Sequence, residues 1–338
     1  PSMQNIRKIG INGFGRIGRY LTRLAILDPQ VEIGLVNDLA DIHSLMHLFK
    51  YDSVHGGFDI SFKIIDDTVV FSNGKSMRFS QQRDPSQIEW AKNNVATVVE
   101  CTGLFLTQTL ASAHLNGGAK KVVLSAPAKD DNVRTVVLGV NDDTLSPEDT
   151  VISNASCTTN NVAPIVKVVK SLVDIELCYI STIHSYTSDQ RLHDAPHKDL
   201  RRARAAAHSI IPTTTGAAKA ITKIFPDLEG KIDGGAIRVP VSNGSMSEIT
   251  FNIAEPVLMD KVNEAMIKSA KLDLKGVLGI ITDPIVSIDI VGSPLSSAYD
   301  AGLSRSFGKV LKIIAWYDNE AGYSNRLLEL TKKVHENK

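Results

Sequence analysis

The spacing of apolar positions changes twice near the start of the chain. Residues 8–12 form a short apolar run that ends at Asn12, and apolar residues from Ile17 to Leu24 then recur at the three- and four-residue steps of a helix. A second apolar run follows at residues 31–36. The pattern therefore predicts a strand, a helix and a second strand, in that order.

The apolar pattern changes character once along the rest of the chain. Up to about residue 154, short β-branched runs alternate with helical stretches, which favours a parallel, doubly wound sheet. Beyond Cys157 the strand candidates are longer, and apolar residues alternate with polar ones, which predicts a second α+β domain on a mostly antiparallel sheet. The remaining strand candidates are residues 97–100, 121–125, 135–139, 178–184, 235–239, 248–254, 285–291 and 311–317, and residues 324–334 are predicted to form a closing helix.

Gly13, Gly15 and Gly18 follow the first predicted strand directly and open the first predicted helix. A lone G-x-G-x-x-G run is a weak signal, but between a strand and a helix it lets a dinucleotide pyrophosphate approach the helix N-terminus. The second strand leads to Asp38, about 20 residues past the glycines, where Rossmann-type folds place a ribose-binding acid. A turn or capping role is the alternative for this aspartate. A carboxylate there favours NAD, since it repels the additional phosphate of NADP.

Cys157 lies between an apolar strand end and a helical pattern that runs to Leu172. The first turn of a helix exposes backbone N–H groups and the positive end of the helix dipole, and both stabilise an anion. We therefore expect a thiol with a depressed pKa that reacts as a nucleophile. The alternative is a buried structural cysteine, which the polar neighbours at positions 156 and 158–160 disfavour.

Composition excludes several classes of function. The chain has 338 residues, enough for two separate cores, and 37 basic residues balance 37 acidic ones. Zero net charge gives no general attraction to nucleic acid or membranes, and no apolar run approaches the roughly 20 residues of a membrane span. Cys101, Cys157 and Cys178 match no metal-binding spacing, so we expect no metal site and a reducing, cytoplasmic compartment. The start lacks a signal-peptide pattern, and the two residues before Met3 are interpreted as the remnant of an expression tag.

Four motifs make the chain resemble the phosphorylating glyceraldehyde-3-phosphate dehydrogenases of bacteria, nearly from end to end. They are INGFGRIGR at residues 11–19, SNASCTTN at 153–160, TTTGAAKA at 213–220 and WYDNE at 316–320. The resemblance implies NAD-dependent oxidation and phosphorylation of glyceraldehyde 3-phosphate to 1,3-bisphosphoglycerate, in glycolysis and gluconeogenesis. It also implies an NAD-binding Rossmann domain over residues 1–156, completed by a C-terminal helix at about 320–338, and a catalytic domain over residues 157–319.

The resemblance makes Cys157 the nucleophile and His184 its general acid/base. The imidazole would hold the thiolate and then accept the hydroxyl proton of a thiohemiacetal as hydride leaves for the nicotinamide. Inorganic phosphate would attack the resulting thioester, and the Cys157 N–H would hold the substrate oxyanion. Without the resemblance, a histidine on a strand is often only a packed or solvent-facing residue.

Arg238 lies inside an otherwise apolar strand, where a charge is costly unless it is paired. A structural salt bridge is one interpretation. The resemblance implies instead a site for the phosphate ester of the substrate, in which Asp189 orients Arg238. That site comprises Thr187, Asp189, Arg202 and Arg238, and a second site for inorganic phosphate comprises Ser156, Thr158, Thr215 and Gly216.

The resemblance also implies the remaining cofactor contacts and the assembly. The contacts are Arg16 and Ile17 at the pyrophosphate, Arg83 and Thr102 around the adenosine, Ser125 near the nicotinamide half, and Asn319 and Tyr323 at the nicotinamide. Each could instead be a capping or turn residue. The basic residues 197–204 lack interleaved aromatic residues, which argues against nucleic acid. In the family this loop lies at a subunit interface, which implies a homotetramer.

Two segments depart from the family pattern, and three other functions remain open. Asn161 stands where many relatives have a second cysteine, and residues 241–245 lack the usual proline. The alternatives are an erythrose-4-phosphate dehydrogenase, an aspartate-semialdehyde-type reductase, and a non-catalytic dinucleotide- or RNA-binding protein. The patterns at 185–187 and 215–216 argue against the first, and the cysteine motif differs from that of the second.

Overall fold

The computed structural model describes residues 6–336, which form two compact units. The first unit comprises residues 6–136, 143–155 and 324–336, and the second comprises Val137–Asp142 and Ser156–Tyr323. The interpretation of the first two residues as a tag remnant lies outside the described residues.

The first unit is built on a nine-stranded sheet, in which six consecutive pairings are parallel. The strand order is β10-β11-β9-β8-β1-β2-β7-β6-β5, and the pairs β7–β6 and β6–β5 are antiparallel. Its elements are β1 Arg7–Asn12, α1 Arg16–Leu27, β2 Val31–Asn37, α2 Ile42–Lys50, β3 Tyr51–Asp52, β4 Gly56–Gly57, β5 Phe62–Ile65, β6 Thr68–Phe71, β7 Ser76–Ser80, β8 Thr97–Glu100, α3 Gln108–Ala111, α4 Ala113–Asn116, β9 Lys121–Leu124, β10 Arg134–Thr135 and β11 Val151–Ser153.

Every residue of β8 and β9 is buried, so the apolar core covers both faces of this part of the sheet, as is typical of parallel strands. The predicted parallel sheet is confirmed. The predicted strand at residues 135–139 is wrong beyond Thr135, because the chain turns there. The Val137 carbonyl accepts the N–H of Val140 at 3.0 Å, and the Val137 N–H donates to the side chain of Asn141 at 2.7 Å.

The second unit is built on an eight-stranded, mostly antiparallel sheet, as predicted. The strand order is β13-β14-β12-β15-β19-β17-β16, and β18 pairs with β19. Its elements are α5 Cys157–Leu172, β12 Ile175–Ser185, β13 Ile211–Thr213, α6 Ala217–Ile224, β14 Ile232–Val239, β15 Ser245–Ile253, α7 Met259–Lys271, β16 Leu278–Ile281, β17 Ser297–Asp300, β18 Arg305–Phe307 and β19 Val310–Tyr317. The closing helix, α8, spans Ala321–Glu336 and passes from the second unit into the first.

One predicted strand of the second unit is wrong. Residues 285–291 contain the 3₁₀ turn Ser287–Ile290 instead. The side chain of Asp289 accepts the N–H of Val286 at 2.9 Å, which closes the turn and removes this N–H from strand pairing.

Candidate functional site

The N-terminus of α5 presents the sulfur of Cys157, which is the first residue of that helix. Ser156 caps the helix, and its hydroxyl oxygen accepts the N–H of Thr159 at 3.0 Å. Ala155, directly before the cap, has a left-handed backbone with φ of 57°, which is uncommon for a residue with a Cβ and recurs at functional sites. The local chain thus turns sharply to place the thiol at the helix start.

His184 faces this sulfur because of its position on β12. Cys178, Ile180, Thr182 and His184 alternate with more exposed residues, so they share the buried face of the strand. His184 Nε2 lies 3.4 Å from Cys157 Sγ, and His184 Nδ1 lies 2.6 Å from the carbonyl oxygen of Ser185. A carbonyl only accepts, so Nδ1 carries the proton and the unprotonated Nε2 of the neutral ring faces the thiol. The pair has the geometry of a nucleophile with its base.

The prediction that the helix N-terminus by itself depresses the pKa of Cys157 is wrong. Burial raises the pKa of this thiol, and the Arg238 guanidinium and hydrogen bonds to Thr158 oppose that effect. Burial likewise lowers the pKa of His184 to about 3, and the charge of Arg238 adds to this. Neither group therefore ionises readily alone. Moving the proton from Sγ to Nε2 creates two opposite charges in contact, so the two groups ionise as a pair.

Arg238 lies beside His184, because the two residues are register partners on the parallel strands β14 and β12. Its Nη1 donates to Thr187 Oγ1 at 3.0 Å and to Gln190 Oε1 at 3.4 Å. Its Nε is buried without a hydrogen-bond partner, and none of the carboxylates in residues 6–336 lies within ion-pair distance of it. The salt-bridge interpretation therefore fails, and a half-buried guanidinium with a buried, unpartnered N–H suits an anionic ligand.

Asp189 does not orient Arg238, contrary to the prediction. Its carboxylate pairs with Arg202 and lies 3.4 Å from His197 Nε2. Arg202 also donates from Nε to Thr213 Oγ1 at 2.9 Å and from Nη2 to a backbone carbonyl, that of Thr214, at 3.2 Å. Asp189 thus orients Arg202, because the two are brought together by the turn between β12 and β13.

Gln190 takes the place predicted for Asp189, and sequence reasoning missed it. Its Oε1 accepts the N–H of Thr187 at 3.2 Å as well as Nη1 of Arg238. The residue is 7% exposed, and its Nε2 has no partner among the described residues. The sequence shows only that Gln190 directly follows Asp189, and adjacency does not tell which of the two side chains contacts Arg238.

The residues predicted to bind inorganic phosphate lie at the starts of two helices that pack against each other. Ser156 and Thr158 begin α5, whereas Thr215 and Gly216 precede α6. The Thr158 hydroxyl bonds to the hydroxyl of Tyr317 at 2.9 Å, and Tyr317 bonds equally to Thr182. Tyr317 was not singled out as a site residue, although it lies in the WYDNE motif. It fixes Thr158 against the sheet.

Asn319 is held in one orientation by two serines. Its Oδ1 accepts from Ser185 Oγ at 2.9 Å and from Ser245 Oγ at 3.0 Å, and Ser245 Oγ itself accepts the Ser185 N–H. Because Oδ1 is used in this way, Nδ2 is the group that Asn319 offers to a ligand. Residues 241–245, which had no interpretation, supply Ser245. Tyr323 is buried in α8, and Asn161 is buried with its amide directed at two backbone carbonyls, those of Ser296 and Trp316.

The glycine run of the first unit has the backbone that close ligand approach requires. Gly13 has φ of 95°, and a Cβ on Gly18 would lie 2.2 Å from the Gly13 carbonyl oxygen. A Cβ on Gly15 would meet nothing within 4 Å, so this glycine borders open space, and α1 has no side-chain cap. Asp38 holds this turn by accepting the N–H of Phe14 at 2.7 Å. The arrangement fits a dinucleotide.

The other predicted cofactor residues of the first unit lie at strand ends or helix starts. The guanidinium of Arg16 pairs with Asp52, with both N···O distances at 3.2 Å, so Arg16 offers a ligand mainly its backbone. Thr102 donates its N–H and its hydroxyl to Glu100 Oε2 at 2.9 and 2.7 Å. Ile17 lies in the first turn of α1, Arg83 is exposed after β7, and Ser125 follows β9.

Residues 6–336 contain no helix that is long and apolar enough to cross a membrane. Within the same range, no three histidine, cysteine or acidic side chains are grouped to hold a metal ion. The basic segment 197–204 is largely neutralised, since Arg202 pairs with Asp189 and Arg204 pairs with Asp194.

Comparison with known proteins assigns both parts of the chain to one family. Residues 7–108 match the family model described as glyceraldehyde 3-phosphate dehydrogenase, NAD binding domain, and residues 156–319 match the C-terminal domain of the same enzyme. The glyceraldehyde-3-phosphate dehydrogenase of Priestia megaterium is 48% identical over 329 residues, which cover 97% of this chain and 98% of that protein. Glyceraldehyde-3-phosphate dehydrogenase 1 of Bacillus subtilis is similar to the same extent. Glyceraldehyde-3-phosphate dehydrogenase 2 of Streptomyces avermitilis is 49% identical over 327 residues, 96% of this chain and 97% of that protein.

Proposed function

The chain belongs to the glyceraldehyde-3-phosphate dehydrogenase family, and we propose that it oxidises and phosphorylates glyceraldehyde 3-phosphate to 1,3-bisphosphoglycerate in glycolysis and gluconeogenesis. Family membership confirms the predicted oxidoreductase and the predicted cofactor, NAD. The proposal adds the mechanism, the site residues and the product.

The contact between Cys157 and His184 is the main observation that supports the proposed function. A thiol 3.4 Å from an imidazole nitrogen, at the start of a helix, is suited to nucleophilic attack on an aldehyde. Arg238 lies in register with His184 and has no carboxylate partner among the described residues, so it suits the phosphate of the substrate. The two features together favour a phosphorylated aldehyde as substrate.

In the proposed mechanism His184 acts twice as a base and once as an acid. His184 Nε2 takes the proton of Cys157, and the thiolate adds to the aldehyde carbon. The imidazolium returns that proton to the new oxyanion, which the Cys157 N–H stabilises, and a thiohemiacetal results. His184 then accepts the hydroxyl proton as the carbon loses hydride, which leaves a thioester. Inorganic phosphate adds to the thioester carbonyl, the C–S bond breaks, and the acyl phosphate is released from the Cys157 thiolate.

We assign the two phosphate sites to the residues around Arg238 and at the starts of α5 and α6. Thr187, Arg202 and Arg238 are assigned to the ester phosphate, with Gln190 and Asp189 orienting the two arginines. Ser156, Thr158, Thr215 and Gly216 are assigned to inorganic phosphate, at helix starts that favour anions.

NAD, when bound, supplies the acceptor for the hydride. We assign residues 1–156, with the C-terminal helix, as the NAD-binding domain and residues 157–319 as the catalytic domain. The backbone of Gly13, Gly15, Arg16, Ile17 and Gly18 would hold the pyrophosphate, Asp38 the ribose, and Asn319 Nδ2 the carboxamide oxygen. We assign the adenosine contacts to Arg83 and Thr102, as the resemblance implies. On the same basis Ser125 is assigned to the nicotinamide half and Tyr323 to the nicotinamide.

Formation of NADH from NAD and glyceraldehyde 3-phosphate tests this function. We expect NADH formation that depends on inorganic phosphate. Equal rates with and without phosphate would contradict the phosphorylating reaction. A preference for erythrose 4-phosphate would favour the erythrose-4-phosphate dehydrogenase. If neither sugar phosphate is turned over, the remaining alternative is a non-catalytic dinucleotide-binding protein.

We also propose a cytoplasmic homotetramer. All three cysteines are free, which suits a reducing compartment. Three large apolar side chains of the turn between β12 and β13 are more than two-thirds exposed, namely Leu192, Leu200 and Ile210, and a subunit interface would cover them. Light scattering at micromolar concentration should give four times the chain mass, and a monomer would contradict the proposal.

A further inference from the structure

Four neighbouring parallel strands of the first unit each end in a polar residue. Glu100 ends β8, Asn12 ends β1, Asn37 ends β2 and Ser80 ends β7. Asn12 is the register partner of both Glu100 and Asn37, and Asn37 is the partner of Ser80. Register partners of parallel strands point to the same face of the sheet, so these four side chains form a row, which we call the strand-end row.

Hydrogen bonds join the strand-end row from one end to the other. Asn12 Nδ2 donates to Glu100 Oε1 at 2.6 Å, Asn37 Nδ2 donates to Asn12 Oδ1 at 2.9 Å, and Ser80 Oγ donates to Asn37 Oδ1 at 2.8 Å. Glu100, Asn12 and Asn37 are 0–3% exposed, so the bonds among these three side chains do not compete with water. Ser80 is half-buried, and the row is a continuous network across four strands.

Glu100 is the residue on which most of this network converges. Trp90 Nε1 donates to His114 Nδ1 at 3.1 Å, so the proton of the imidazole is on Nε2, which donates to Glu100 Oε1 at 3.0 Å. With the bonds from Asn12 and Thr102, two donors reach each carboxylate oxygen. Only a side chain that accepts at both oxygens satisfies all four donors, and glutamine does not.

The four loops that leave the strand-end row carry the dinucleotide-binding residues. Gly13 directly follows Asn12, and Asp38 directly follows Asn37. Thr102 follows Glu100 by two positions, and Arg83 follows Ser80 by three. A Cβ on Gly13 would lie 2.9 Å from the backbone nitrogen of Thr102, so the glycine turn packs directly on the loop that Glu100 holds. Any shift of Glu100 or Asn12 therefore moves the backbone that faces the ligand.

We propose that the strand-end row is a positioning device for the dinucleotide and that Glu100 is its principal positioning residue. Glu100 acts through Thr102 and the glycine turn and does not contact the ligand. The proposal rests on NAD binding at this edge of the sheet. It predicts that breaking the row weakens binding of the adenosine diphosphate half of the cofactor and leaves the chemistry at Cys157 unchanged.

Glu100→Gln is the direct test, because it keeps the size of the side chain and replaces one acceptor by a donor. We expect the Kd for NAD and the Kd for ADP-ribose, both measured by calorimetry, to rise about tenfold or more, since two buried donors lose their acceptor. The kcat at saturating NAD should stay within about twofold of the wild-type value, because the reacting groups are untouched.

Thr97→Val is the matched control. Thr97 begins β8, at the strand end opposite Glu100, is 1% exposed, and its hydroxyl bonds to His335 Nδ1 at 2.9 Å. Its loss should lower Tm and leave both Kd values unchanged. A folded Glu100→Gln variant with wild-type Kd values would overturn the proposal, and so would equal weakening in the two variants at equal loss of Tm.

If Glu100→Gln does not fold, a milder variant can test the proposal. Ser80→Ala removes only the last bond of the row, and Asn37 Oδ1 keeps the Gln82 N–H at 2.8 Å. We expect a rise of about threefold in both Kd values, within the range for one neutral hydrogen bond. Unchanged Kd values would overturn the proposal. If the wild-type chain binds neither NAD nor ADP-ribose, the failure lies with the family function and not with the row.

Discussion

The strand-end row in the first unit and the arginine site in the second handle buried polar groups in opposite ways. Every polar side-chain atom of Glu100, Asn12 and Asn37 has a partner, and those partners hold backbone loops. Beside Arg238, by contrast, Arg238 Nε and Gln190 Nε2 have no partner among the described residues. Hydrogen bonds that are all formed within the protein fix the conformation of the loops, whereas donors without a partner can bind an anionic ligand.

The two regions also differ in how they treat charge. Glu100 is wholly buried, yet four donors compensate it. Arg238 is a partly buried cation that forms no ion pair with a carboxylate of the described residues, and its charge acts on both Cys157 and His184. The first region can therefore be rigid before any ligand binds, whereas the second is electrostatically complete only with an anion.

Replacement of the nucleophile tests whether the second region is chemical and the first is not. Cys157→Ser should reduce kcat on the order of 10⁴-fold or more, because an alcohol does not ionise at neutral pH. Calorimetry should show an NAD Kd close to the wild-type value. Cys178→Ser, on buried β12, is the control and should keep its activity. Limiting iodoacetamide should label Cys157 before Cys101 or Cys178. Burial raises the pKa of all three thiols, in Cys101 and Cys178 to about 12, but Cys157 faces the His184 imidazole, which can take its proton. Faster labelling of either would contradict this interpretation of the site.

Removal of the base tests the idea that Cys157 and His184 ionise as a pair. In His184→Asn the amide can still donate to the Ser185 carbonyl, but no base faces the sulfur. We expect kcat to fall about 10²–10⁴-fold. Burial raises the pKa of Cys157, although Arg238, Thr158 and the backbone N–H of Cys157 oppose that effect. Without an imidazole to take the proton, less thiolate exists at neutral pH and more forms as the pH rises. The pH profile of iodoacetamide labelling should therefore move to higher pH. An unchanged profile would show that the two groups ionise independently.

Removal of the cation tests whether the unsatisfied site binds phosphate. Arg238→Ala should lower kcat/KM for glyceraldehyde 3-phosphate by roughly one to two powers of ten, the worth of a charged hydrogen-bond pair of about 1.5–3 kcal/mol. Unphosphorylated glyceraldehyde is the internal control and should be affected far less. Arg238→Lys should recover only part of the loss, because an ammonium keeps the charge but not the two-pronged geometry. If kcat/KM falls equally for both substrates and Tm is lowered, Arg238 has a purely structural role.

The preference for NAD over NADP tests the proposed role of Asp38 in the first unit. The wild-type chain should prefer NAD over NADP, because the carboxylate of Asp38, proposed to face the ribose, would repel an additional phosphate. Asp38→Asn should reduce the ratio of kcat/KM for NAD to kcat/KM for NADP about two- to fivefold, since interactions between charges that are open to solvent are worth only ~0.2–1 kcal/mol and Asp38 is half-buried. Asp41→Asn, which changes the nearby exposed cap of α2, should leave the NAD to NADP ratio of kcat/KM unchanged. Comparable kcat/KM for both cofactors in the wild-type chain would refute the assignment.

Local patterns predicted much of the fold. Runs such as residues 97–100 and 311–317 became β8 and β19 because their apolar spacing is a property of the segment itself. Residues 285–291 have the same apolar character, but Asp289 binds the N–H of Val286 and closes a turn there. The antiparallel edge formed by β5, β6 and β7 was not predicted, because short strands with polar neighbours give little periodic signal.

Sequence patterns were enough to identify the family and to predict most of the main strands, the glycine turn, and the placement of Cys157 at a helix start and His184 near the end of a strand. Hydrogen-bond partners and pKa shifts, in contrast, depend on tertiary contacts. Asp189 binds Arg202 and leaves Arg238 to Gln190, burial reverses the expected shift in the pKa of Cys157, and Asn12 meets Glu100 across 88 positions of sequence. The physical reason is that backbone preference and amphipathic spacing act within a few residues. Hydrogen-bond partners and desolvation depend instead on strand register and packing, which join segments that are distant along the chain.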